Sequence, residues 1–130
     1  MSDVISCLLV GTGGFIGAIA RFALARFVAT SFDTRFPLGT FIINVSGSFL
    51  LGILGTVVTH RMSVHADALR LALGVGFLGA YTTFSTFEFE THTLLDNGAW
   101  VAATVYMAAS LFVGLMAVRA GILLTRNWAF

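Results

Sequence analysis

Apolar residues run through the chain in four long blocks, and the few charges fall between them. Residues 4–20, 36–60, 71–87 and 97–118 contain no Asp, Glu, Lys or Arg, giving uncharged runs of 17, 25, 17 and 22 residues. A helix that crosses hydrocarbon needs about 20 mainly apolar residues, so four crossings use nearly all of the 130 residues. With the helices running a little into their flanks, the pattern predicts an all-α membrane protein. Its four transmembrane helices lie at about 4–28, 37–60, 69–95 and 98–122 of one domain covering 1–130. The connections are short, near 29–38, 61–70 and 96–98, which leaves no room for a soluble domain. Pro37 stands just before the second span, where a helix start tolerates its missing N–H.

Composition agrees. Hydrophobic residues make up 58% and charged residues 10%, against roughly 25% charge in soluble domains. All seven basic residues are arginines and the net charge is +1, too little for a nucleic-acid footprint. Cys7 is the single cysteine, so neither an internal disulfide nor a cysteine zinc cluster is available, and it reads as a small buried hydrophobe. His60, His65 and His92 lie in or near the connections with no partner at ligand spacing, which argues against metal binding through them. The N-terminus carries Asp3 and no basic region, so the first span is expected to stay in the protein rather than leave as a signal peptide. Trp100 and Trp128, at either end of the last span, read as interfacial belt residues.

Polar residues inside the apolar blocks are few and patterned. The third span contains Thr82-Thr83-Phe84-Ser85-Thr86-Phe87, four hydroxyls and two phenylalanines in six residues. In a helix Phe84 and Phe87 share a face, as do Thr83 and Thr86. Gly74, Gly76 and Gly79 come just before, a place where that helix can break, and non-helical backbone at membrane depth belongs where it is buried in protein or lines a cavity. In the second span Thr40, Asn44, Ser48, Gly52 and Thr56 recur every four residues, and the Asn44 amide brings two N–H donors. The fourth span repeats the spacing with Tyr106, Ser110 and Gly114. Either stripe reads as interhelical glue or as a pore lining. Gly13 and Gly17 in the first span have the spacing that lets helices approach closely. A dinucleotide fingerprint fails there, because Ile16 stands where its last glycine belongs. Arg21, late in that helix, is an interface anchor or a partly buried structural charge.

The donor-rich middle holds hydroxyls, one amide and one phenol, with no carboxylate; Glu88 and Glu90 follow Phe87 toward one end. Donors without fixed negative charge suit an anion, and conduction needs binding weak enough for release. Phenylalanine adds the positive edge of its ring quadrupole. Four spans put both termini on one side, with Arg61, Arg70, Arg119 and Arg126 against Arg26 and Arg35 on the other. So small a bias is compatible with insertion in both orientations. Two opposed copies then pair about a two-fold axis in the membrane plane.

Gly39-Thr40 with Asn44, and Gly79 leading into Thr82-Thr83-Phe84-Ser85-Thr86-Phe87, resemble the CrcB/Fluc fluoride channels of microbes, and the likeness extends over essentially the whole chain. It implies an antiparallel, dual-topology homodimer in the cell (inner) membrane that exports fluoride passively and is not an enzyme. By position it implies a fluoride pathway of Asn44, Phe84, Phe87, Tyr106 and Ser110, with Thr40, Ser85 and Thr86 along it. Gly79 and Thr82 correspond to a helix break whose backbone carbonyls hold a structural sodium ion. Arg21 corresponds to a structural charge and Glu90 to an acid at the pore end. Glu88 departs from the serine of the relatives, and Ala80 and Tyr81 replace smaller or aliphatic residues. Two other readings stay open: a packing subunit of a larger membrane complex, and a four-helix drug exporter, which needs a mid-membrane carboxylate.

Overall fold

The computed structural model of the protein describes residues 2–61 and 65–127. The described part is helical throughout, in the order α1 (Asp3–Ser31), α2 (Leu38–Arg61), α3 (Ala66–Leu69), a π-helical segment (Arg70–Leu78), α4 (Gly79–Tyr81), α5 (Phe84–Asp96) and α6 (Trp100–Asn127). Three helices, α1, α2 and α6, are each long and apolar enough to cross a membrane, so the protein is a multi-pass membrane protein. The remaining length, 66–96, where the sequence predicts the third span, is helical in pieces. Trp128 and the side chains of His60 and Arg61 fall outside the described part.

The interruption comes three residues later than the glycine run. Gly79 is helical (φ −63°, ψ −35°), and the extended residues are Thr82 (φ −81°, ψ 160°) and Thr83 (φ −150°, ψ 122°). The glycines have a different task. A Cβ on Gly13 would collide with the carbonyl of Ala72 and one on Gly17 with the carbonyl of Phe77, while a Cβ on Gly76 would lie 2.6 Å from the carbonyl of Val10. The first span and the π segment thus touch backbone to backbone, an approach only residues without a Cβ allow. Wide π turns push carbonyls out of line and are frequent at functional sites.

The second long contact joins α2 and α6, and glycine again sets the distance. Cβ atoms on Gly52 and Gly121 would run into the carbonyls of Val118 and Phe49. Gly52 therefore belongs to helix packing, and Thr56 returns its hydroxyl to the Gly52 carbonyl at 2.9 Å. The turn between α5 and α6 is closed by Gly98 at φ +73°. Gly98 and Ala99 donate to the carbonyls of Leu95 and Leu94, both at 2.9 Å, a glycine helix stop.

Buried apolar side chains form two small clusters. Ile43, Leu78 and Tyr81 make one, before the break; Leu94, Ala103 and Tyr106 make the other, after it. Cys7 belongs to neither. It is exposed on α1, contrary to its reading as a buried hydrophobe, because α1 packs inward from Gly13 to Val28 and leaves its first turns largely uncovered.

Candidate functional site

Thr82 and Thr83 take extended backbone angles at the break; the Thr82 N–H still donates to the Leu78 carbonyl at 3.0 Å, but the N–H and C=O of Thr83 need partners elsewhere. Asn44, on α2, supplies two: Nδ2 donates to the Thr83 carbonyl at 3.0 Å, and Oδ1 accepts from the Thr83 N–H at 2.9 Å. A planar amide holds donor and acceptor side by side, so this one residue mimics a strand of backbone. Thr83 also caps α5. Its hydroxyl accepts from the Thr86 N–H at 3.3 Å and donates to the Thr86 hydroxyl at 2.9 Å, the N-cap role favoured for threonine.

These substitutions have a consequence for two carbonyls. In a continuous α-helix the N–H of Thr83 bonds Gly79 and that of Thr86 bonds Thr82, four residues back. Both N–H groups are diverted, to Asn44 and to the Thr83 hydroxyl. The carbonyls of Gly79 and Thr82 are thereby released from the ladder. The Arg21 guanidinium reaches the Thr82 carbonyl with Nη1 at 3.5 Å, so this charge sits beside the break and not at the end of its helix alone.

A groove of about 550 Å³ opens beside the break, lined among others by Asn44, Ser48, Thr82, Phe84, Phe87 and Ser110. The Ser110 hydroxyl is buried without a hydrogen-bond partner among the described residues. Buried hydroxyls are ordinarily satisfied, which makes this one a donor in waiting. The rings of Phe84 and Phe87 have centroids 5.8 Å apart and are tilted by 35°. Phe84 is 70% exposed, whereas Phe87 packs on Tyr106 at 5.0 Å. The first turn of α5 begins here, with the positive end of its dipole at the break. None of the described residues that line the groove is acidic.

Tyr106 and Thr40 stand apart from that groove, in a second polar cluster. Tyr106 is fully buried and its hydroxyl donates to Glu90 Oε2 at 2.8 Å, while the Thr40 hydroxyl donates to Glu90 Oε1 at 2.9 Å. Phe36 meets the Tyr106 ring edge-on at 5.3 Å. Glu90, on α5, therefore has both oxygens satisfied by the two hydroxyls that the stripes of α2 and α6 present. Ser85 and Glu88 are exposed on α5, and Thr86 is held in the cap. His92 has its Nε2 at 3.3 Å from Asp96, one turn on.

The structure thus gathers Asn44, Thr82, Phe84, Phe87 and Ser110 around one space and sends Thr40 and Tyr106 to Glu90. Sequence reasoning passed over Thr83, which is both clamped and capping. The signal was present, since a threonine followed three residues later by a second hydrogen-bonding side chain marks a helix start, but the uninterrupted apolar context hid it.

The family profile described as "CrcB-like protein, Camphor Resistance (CrcB)" matches residues 8–122. The fluoride-specific ion channel FluC of Acidobacterium capsulatum is 46% identical over 114 residues, 88% of this chain and 90% of that one. Channels of the same name from Nitratidesulfovibrio vulgaris and Solibacter usitatus are 44% and 42% identical. They cover 83% and 92% of this chain, and 86% and 98% of their own. Together with a third span broken between Asn44 and two phenylalanines, this places the chain in the CrcB family.

Proposed function

We propose that the protein is a fluoride-selective channel that lets fluoride leave the cell passively across the cytoplasmic (inner) membrane. The observation that carries this reading is the groove at the break. An unpartnered hydroxyl, an amide and two phenylalanine rings converge there, and the described lining offers no negative charge. Such a lining attracts a small anion through N–H and O–H donors and ring edges. It repels no anion by charge and offers a cation no carboxylate among the described lining residues. The curated relatives, named as fluoride-specific channels, support the choice of anion.

Asn44, Phe84, Phe87 and Ser110 meet the ion in this reading. Thr40 and Tyr106 act at one end through Glu90, and Ser85 and Thr86 border the same helix turn. Two opposed copies would cover the open side of the groove, where Phe84 and Leu111 are bare, and the weak arginine bias supports such an antiparallel homodimer. A sodium ion suits the break as a structural, untransported cofactor. Two carbonyls without their helix N–H partners, at Gly79 and Thr82, are hard oxygen donors of the kind a hard cation takes; the Arg21 guanidinium already reaches the one at Thr82 at 3.5 Å, and the second copy would double both. When bound, the ion supplies positive charge beside the pathway.

The test is fluoride efflux from liposomes that contain only the purified protein, with chloride efflux measured alongside. Fluoride release far exceeding chloride release is expected, weakened when sodium is replaced by a large organic cation and never driven by a sodium gradient. No fluoride release with sodium present would return the protein to the reading of a packing subunit.

A further inference from the structure

Tyr81, the last residue before the break, is only 7% exposed. Its ring stacks on Phe77, 5.7 Å away and 7° from parallel. Its hydroxyl lies 2.8 Å from the Ser46 hydroxyl on α2. Either hydroxyl can donate; with the one Ser46 proton on the Ile43 carbonyl at 3.1 Å, Tyr81 is the donor and Ser46 the acceptor.

The neighbours of Ser46 complete a pattern. Gly47 leaves a space that a Cβ would fill, because that Cβ would overlap the Thr82 methyl and lie 3.3 Å from the Tyr81 ring. Asn44, on the same stretch of α2, clamps Thr83. Three residues of α2 therefore receive three successive residues of the third span: Ser46 takes Tyr81, Gly47 takes Thr82, and Asn44 takes Thr83. Packing alone does not call for the tyrosine hydroxyl, since phenylalanine fills the same volume. What the hydroxyl adds is a fixed depth and direction for the ring at the point where the chain departs from helical geometry.

We propose that Tyr81 is a positioning residue: its hydrogen bond to Ser46 sets the direction in which the chain leaves α4, so that Thr83 meets Asn44 and the break keeps its shape. This rests on the pathway reading only in making the break functional; the geometry it claims is independent of any ion.

The experiment is amide hydrogen exchange by NMR on the full chain in nanodiscs, because local opening shows as faster exchange at the affected amide alone. In Tyr81→Phe the Thr83 amide should exchange about three- to tenfold faster, the weight of one ordinary hydrogen bond, with amides of α1 and α6 changed less than twofold. Ser46→Ala should do the same, the double variant should be no faster than the faster single, and Ser46→Thr, which keeps the hydroxyl, should restore protection. Fluoride flux per folded protein should fall by a similar factor in Tyr81→Phe. An unmoved Thr83 amide, or faster exchange of all helices together, would overturn the proposal and leave Tyr81 as packing. If wild-type protein passes no fluoride, the channel reading fails while the Thr83 amide still decides this one.

Discussion

The two halves of the third span are held in place by opposite means. Before the break, carbonyls of Ala72 and Phe77 rest against Gly13 and Gly17 of α1, and Gly76 rests against the Val10 carbonyl. Contact with α1 there is backbone on backbone and its specificity is one of volume, until the last residue, where Tyr81 meets Ser46 of α2 through its hydroxyl. After the break, α5 is held by side-chain bonds: Asn44 to Thr83, Thr83 to Thr86, and Thr40 and Tyr106 to Glu90. Specificity there is one of donors and acceptors. The difference teaches where tolerance lies. A span fixed by volume forgives a change of polarity and not of size, and a span fixed by hydrogen bonds does the reverse. It also explains why the candidate chemistry gathers at and after the break, since the third span presents its polar side chains to the groove only from Thr82 onward.

The largest effect should come from breaking the volume side. Gly17→Val places a branched side chain where the Phe77 carbonyl already is. Overpacking of this kind costs about 1–3 kcal/mol or more, and a backbone carbonyl in a packed helix cannot swing aside. We expect little or no monodisperse protein by size-exclusion chromatography. Gly11→Val is the control, since nothing lies within 4 Å of a Cβ there and its yield should match wild type. Equal yields from the two would remove the backbone interlock from the account.

Next in size is Asn44→Asp, which tests the hydrogen-bonding side. The carboxylate still accepts from the Thr83 N–H but faces the Thr83 carbonyl with an acceptor instead of a donor, and it adds negative charge to an anion path. Flux should drop to the level of empty liposomes while the protein remains folded by circular dichroism and size-exclusion chromatography. Asn44→Ala should also lose most flux, through the freed break rather than through charge. Retained flux in Asn44→Asp would mean that the amide neither shapes the break nor meets the ion.

Much of this was legible in the sequence, for identifiable reasons. Four charge-free runs gave the spans because hydrocarbon admits no unpaired charge, and the hydroxyl-rich stretch marked the interrupted one. Asn44, Phe84, Phe87 and Ser110, which the structure brings to one groove, stood out by residue type and helical spacing, and the resemblance alone named them a pathway. Three things were not legible. The exact place of the break depends on Asn44 capturing Thr83, a contact between residues 39 positions apart that no local pattern encodes. The pairing of Tyr106 and Thr40 with Glu90 depends on how three helices converge, so the phenol reads from sequence as an ion ligand and in the fold serves a carboxylate. The exposure of Cys7 depends on α1 packing inward only from Gly13 onward, which no local pattern decides.

The two phenylalanines sharpen the comparison, because they share the groove but not the support. Phe84 is largely uncovered and Phe87 packs on Tyr106. Phe84→Ile should therefore leave thermal stability almost unchanged, whereas Phe87→Ile should cost about 1–2 kcal/mol for a change of shape in a packed site. Flux per folded protein should fall sharply in both, since isoleucine keeps hydrophobicity and removes the ring edge. Methionine, polarizable and flexible, should retain more flux than isoleucine at either position. If flux follows stability, with Phe87→Ile impaired and Phe84→Ile normal, the rings are packing and the groove is not the path.

The smallest expected effect is the one that separates two roles for Tyr106. Tyr106→Phe keeps the ring between Phe36 and Phe87 and removes only the hydroxyl that donates to Glu90. If the phenol itself is a stop along the ion's route, that hydroxyl cannot be replaced by anything else, and flux should fall as steeply as for a phenylalanine of the groove. If it acts by holding Glu90, one of the two hydroxyls on that carboxylate is lost and Thr40 keeps the other. A hydrogen bond to a charged group contributes about 1.5–3 kcal/mol at most, and the remaining partner and local relaxation offset part of it, so flux should fall only a few-fold. The pair is then tested by its coupling. Glu90→Gln presents one carbonyl oxygen and one N–H₂ to two donors, so it already loses half of the arrangement. Adding Tyr106→Phe to Glu90→Gln should change flux by much less than Tyr106→Phe does alone, the non-additivity expected of groups in contact. Independent, multiplying losses would return the Tyr106 hydroxyl from the carboxylate to the ion.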